Sequence, residues 1–85
     1  SVPLEVVYGA RRLAVVEDGR AWIEAATAAL IEPCLAAFEI DVELEHVEVV
    51  HGGRFVPART GRGVEEAARI IQRCIAFVSG LRTET

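Results

Sequence analysis

The sequence predicts an α+β fold: a two-layer sandwich in which one antiparallel sheet of about four to five strands carries two helices on one face. Three observations point there. The 85 residues suffice for one domain and no more, so residues 1–85 read as a single unit. Apolar residues make up 52% of the chain, too many for a disordered segment. Their spacing also switches between a period of two and one of 3.6, the mark of strands interleaved with helices. The order is two strands, a helix, two or three strands, and a final helix.

Leu4 to Tyr8 and Leu13 to Glu17 are strand-forming runs, and Gly9-Ala10-Arg11 between them reads as a hairpin turn. Asp18, beside Gly19, is a candidate N-cap for a helix running from Arg20 through Ile31, a stretch of strong helix formers. Pro33 lacks the N–H that a helix interior needs, so the sequence favours a break there, with Cys34 to Phe38 as a short second turn.

Next, Ile40, Val42 and Leu44 alternate with Glu39, Asp41, Glu43 and Glu45 as a half-buried strand. Parity changes near His46, which calls for a bulge or bend. Gly52-Gly53 then turns the chain into Arg54-Phe55-Val56, an edge strand ended by Pro57. After a loop to Gly63, the second helix places Val64, Ala67, Ala68, Ile71, Cys74, Ile75 and Val78 on one face and stops at Gly80. The face of the sheet away from the helices would be the acidic one.

Several functions are disfavoured at this level. No apolar run approaches the roughly 20 residues that span a bilayer, and the N-terminal stretch has no signal-peptide pattern, so a cytoplasmic location with no membrane partner is the default expectation. All nine basic residues are Arg, and Lys, Asn and Met are absent, which fits a GC-biased genome or a thermophile. Cys34 and Cys74 are 40 residues apart, outside any short metal or redox motif, and each lies in an apolar stretch. Two buried thiols are the favoured expectation, with a structural disulfide the alternative. Two His and these two Cys lack zinc-finger spacing, Thr60 and Ser79 have no evident base, and no cofactor fingerprint is present. No catalytic residue, metal or cofactor is assigned.

Two features point outward. Ile70 and Phe77 lie beside the main stripe of the second helix, where a two-layer fold needs only one stripe. With Arg73 they are candidates for a homodimer interface. Charge is also split along the chain. Residues 1–51 hold ten acids against three Arg, and residues 52–85 hold six Arg against three acids, so the net −4 divides into −7 and +3. Arg54, Arg59 and Arg62 precede a helix N-terminus, Arg69 and Arg73 extend the strip, and Phe55 is placed to stack on a base. Together they are candidates for holding an anion such as phosphate or RNA. The pI of about 5.1 opposes broad nucleic-acid affinity. A third possibility is a small-molecule enzyme at an oligomer interface, drawing on His46 and the acidic strand.

The element order resembles one family, the small dimerising subunit of the KEOPS complex, which modifies tRNA. Ala21 to Pro33 looks like that family's first helix and its end, and Gly63 to Leu81 looks like its long helix. Ala68-Arg69 reverse the Arg-Ala pair of the family's last helix, and the Asn that follows there is missing. The resemblance implies a non-catalytic dimerisation module within a larger protein complex, with the Arg strip helping to contact tRNA.

Overall fold

The computed structural model describes residues 2–80. Along the chain come β1 (Leu4–Tyr8), β2 (Arg11–Glu17), β3 (Arg20–Glu24), α1 (Ala25–Ala37), β4 (Asp41–Val42), β5 (Glu48–Val50), β6 (Gly53–Arg59) and α2 (Val64–Ser79). All pairings are antiparallel in the order β1-β2-β3-β6-β4, and β5 joins the same side of β6 as β4. The helices form the second layer. α2 lies over β1 and β2, and α1 lies over β3, β4 and β6. The predicted α+β architecture is therefore the observed one, with six strands.

Register explains the core. Directly opposed residues share a face. Val6, Ala14, Ile23 and Val56 form one rank across four strands, and Leu4, Val16, Ala21, Ala58 and Val42 form the next. Most of these are buried beneath Ala28, Ile31 and Leu35 of α1 and Ala67, Ile71, Cys74 and Ile75 of α2.

Several expectations need correction. Arg20–Glu24 is a strand, and Asp18-Gly19 is a hairpin turn rather than a helix start. The residues are good helix formers, but Ala21 and Ile23 alternate with Arg20, Trp22 and Glu24, and pairing on both edges overrides propensity. α1 then follows β3 without a linker, and it continues through Pro33 instead of breaking. Ile31 and Leu35, buried on either side of the proline, hold that turn against the core.

The acidic strand shrinks to Asp41–Val42, because Glu39 takes a left-handed φ of 63° and Glu43 opens a turn, accepting from the His46 N–H at 3.1 Å. The four acids therefore do not line one face. Finally, Pro57 sits inside β6, a central strand, rather than ending an edge. Its carbonyl accepts from the Glu43 N–H at 2.9 Å, so the nitrogen on the same side faces the gap between β4 and β5 and no ladder bond is lost.

The β5–β6 turn is His51-Gly52, not Gly52-Gly53, with φ of 52° and 80°. Two positive φ values in a two-residue hairpin match the right-handed twist of its strands. The cysteines are bridged rather than free. Cys34 of α1 and Cys74 of α2 have Cα atoms 5.8 Å apart, within disulfide range, because the two helices lie side by side.

Candidate functional site

The structure separates the predicted basic strip. Arg54 and Arg59 stand at opposite ends of β6, about 17 Å apart at ~3.4 Å per residue. Arg59 is loosely associated with Glu43 at 3.9 Å. Arg62 is engaged by its own chain. Its Nε and NH2 donate to the Phe38 carbonyl at 3.3 and 2.8 Å, and its NH1 meets Glu66 at 2.9 Å. It thereby caps the C-terminus of α1, where a cation is favoured. Arg69 and Arg73 remain exposed, one turn apart on α2.

Two observations weaken the anion site before α2. Glu65 and Glu66 occupy the first turn of the helix and already answer its positive end. Phe55 is 3% exposed and packs edge-on against His51, with ring centroids 6.0 Å apart, so its ring is not open to a base.

The face of the sheet opposite the helices is also not the acidic surface expected. The rank Glu5, Val15, Trp22 and Pro57 crosses it, followed by Glu17, Arg20, Arg59 and Asp41. The Arg20 guanidinium lies 4.8 Å above the Trp22 ring, and the His51 ring meets Trp22 edge-on at 6.4 Å. Arg12 bridges Glu5 at 3.3 Å and donates to the His51 carbonyl. This face has its own small cluster and a balanced charge. His46 pairs with Glu43 at 3.4 Å on an open turn. Among the described residues no group of three or more His, Cys, Asp or Glu side chains comes together as a metal site.

The two interface candidates on α2 part company. Ile70 is 8% exposed and belongs to the core, while Phe77 is 75% exposed. The larger outward feature is α1, which the sequence reasoning passed over. Its exposed positions are Ala26, Ala29, Leu30, Pro33, Ala36 and Ala37, with no charge among them. Glu32 is the helix's single ionisable residue, and it is partly buried. An ordinary surface helix is polar on its outer side, so a helix apolar all round is one that becomes covered. The signal was present in the composition of Ala25–Ala37. It was hidden because the strand Arg20–Glu24 was read as the start of the same helix.

A groove lies between α1, α2 and the β1–β2 hairpin. Tyr8, Leu13, Ala26, Leu30, Ile75 and Val78 line it, together with Arg11, Thr27 and Ser79. Arg11 is paired with Glu24, and the Thr27 hydroxyl donates to the same carboxylate at 2.7 Å. Arg11 and Thr27 are thus engaged with Glu24, while the hydroxyl-bearing residues Tyr8 and Ser79 also line the groove beside its apolar surface.

No protein-family model matches the chain, and neither a curated protein nor a solved structure does.

Proposed function

We propose that the chain is a non-catalytic assembly module that forms a homodimer through the outward side of its helix layer, serving as an accessory subunit of a larger complex. The long final helix, the part of the KEOPS resemblance that the observed element order leaves in place, would fit a tRNA-modifying assembly. One observation carries the reading: the outer side of α1 holds no charge along its 13 residues. Leu30, 67% exposed, and Phe77 add large side chains to the same layer. Leaving such surface in water forgoes about 25 cal/mol per Å² that a partner would recover.

The anion or RNA alternative retains Arg69 and Arg73, since Arg62 and Phe55 are engaged within the chain.

The test is sedimentation equilibrium at micromolar concentration, on the parent chain and on Ala29→Glu. Position 29 is exposed and helical, and Glu is a good helix former, so the variant keeps its fold. The expected result is a dimer for the parent and a monomer for the variant. A parent chain that stays monomeric up to hundreds of micromolar overturns the proposal.

A further inference from the structure

We propose that the end of the sheet where β3 passes into α1 binds the doubly charged phosphoryl group of a small phosphate monoester, held by Arg11, Arg12 and Arg54. No residue of α1 lines this place, so the site stands whether or not the chain dimerises.

Register creates the space. β3 lies between β2 and β6, and its last residue, Glu24, pairs with Phe55 before the chain leaves the sheet for α1. On its other edge Ile23 is opposite Ala14, so β2 runs past the end of β3 at Arg11 and Arg12, as β6 does at Gly53 and Arg54. Two strand spacings, about 10 Å, separate β2 from β6 beyond that end. The result is a cavity of about 200 Å³ lined by residues of both strands. Arg12 already reaches across it, donating to the His51 carbonyl in the β5–β6 turn.

Charge and size select the ligand. Three guanidinium groups line the cavity against one carboxylate, that of Glu24, so with His51 neutral it holds a surplus of two positive charges on a chain whose net charge is −4. Glu5, which meets Arg12 at 3.3 Å, lies outside the lining. Arg54 has no hydrogen-bond or ion-pair partner among the described residues. Arg11 meets Glu24 through its NH2 group, yet its side chain remains 64% exposed. Gly52 and Gly53 place no side chain in the approach. A phosphate monoester carries close to two negative charges at neutral pH and three acceptor oxygens, which suits several guanidinium forks at once, whereas a carboxylate carries one charge and two oxygens. Drug-sized ligands fill roughly 300–1,000 Å³, so this smaller space fits a phosphoryl head and leaves the rest of its ligand in water. Chain order hides the site, because Arg11 and Arg12 belong to the acidic half of the sequence and Arg54 to the basic half.

The experiment is a nitrogen-15 NMR titration of the whole chain with phenyl phosphate at a pH of about 7.5, where the monoester is doubly charged. The expected result is a saturable shift of the Gly52 and Gly53 amides and of the Arg11 and Arg54 Nε–H signals. Inorganic phosphate should move the same signals, and methyl phenyl phosphate, a diester with one charge, should bind about tenfold more weakly or worse. Arg54→Gln should weaken phenyl phosphate binding about tenfold. It should melt like the parent, since Arg54 holds no contact in the fold. Arg69→Gln, on α2 outside the cavity, should leave the affinity unchanged. The proposal is overturned by the absence of a saturable shift, by a diester that binds as well as the monoester, or by an Arg54→Gln chain that binds like the parent. It is equally overturned if inorganic phosphate binds and phenyl phosphate does not, or if an RNA oligonucleotide without a terminal phosphate binds where the monoester fails.

Discussion

Arg62 joins the end of one helix to the start of the other with a single side chain. Its guanidinium reaches the Phe38 carbonyl just past α1 and the Glu66 carboxylate in the first turn of α2. Hydrogen bonds to charged groups contribute about 1.5–3 kcal/mol when buried, and partial exposure here reduces that. Arg62→Ala should cost about 1 kcal/mol in urea unfolding, whereas Arg54→Ala, on the exposed β5–β6 hairpin, should stay within about 0.5 kcal/mol. Two glycines make opposite predictions. Gly52 has φ of 80° with open space where a Cβ would be, so Gly52→Ala should lose about 1 kcal/mol to backbone conformation alone. Gly63, the N-cap of α2, has φ of −63°, no side-chain cap and the same open space. Gly63→Ser should therefore gain roughly 0.5–1 kcal/mol, raising the melting temperature by about 3–6 °C in calorimetry.

At the scale of elements, the disulfide decides how firmly α1 is held. α1 has no side-chain cap at its N-terminus and contains a proline, so its own backbone supports it weakly. The bridge to α2 spans 40 residues of chain, which corresponds to about 4 kcal/mol of loop-closure entropy in the chain-entropy account. That is a third or more of the stability of a domain this size. Replacing both cysteines, Cys34→Ala with Cys74→Ala, should lower the urea midpoint by about 2–4 M. The extent of α2 was legible in the sequence because its stripe repeats and Gly80 ends it in the left-handed conformation, although Ile70 proved to be core and Val78 exposed. β3 was not. Its residues favour a helix, and only the edges of β2 and β6 on either side make them a strand. Pro33 misled for a similar reason: the packing of Ile31 and Leu35 lies outside any local rule. The free-thiol expectation failed because cysteines 40 residues apart show their proximity only once the helices are packed.

For the molecule as a whole, two surfaces compete to explain association. The sequence divides into a −7 segment and a +3 one, unlike charges that could dock against each other. Strand pairing sets β6 of the basic segment between β3 and β4 of the acidic one, and Arg59 approaches Glu43 across that boundary, whereas Arg12 with Glu5, Arg11 with Glu24 and Arg62 with Glu66 pair within one segment. Acidic and basic strands thus lie side by side in one sheet, while the apolar outer side of α1 persists. The candidate site was less legible than the fold because the basic strip exists in sequence order but is dispersed by β6, with Arg62 and Phe55 engaged by the chain's own groups. The two modes of association respond differently to salt. Exposed charges are screened over about 10 Å at 0.1 M ionic strength and about 3 Å at 1 M, so a charge-driven dimer should weaken tenfold or more between 0.05 and 0.5 M NaCl. Apolar docking should shift by less than about threefold over that range and tighten in sodium sulfate, which is excluded from protein surface and favours burial. Dissociation constants from sedimentation across both salts separate the two, and a steep loss of dimer in NaCl would shift the interface from α1 to the charged surfaces.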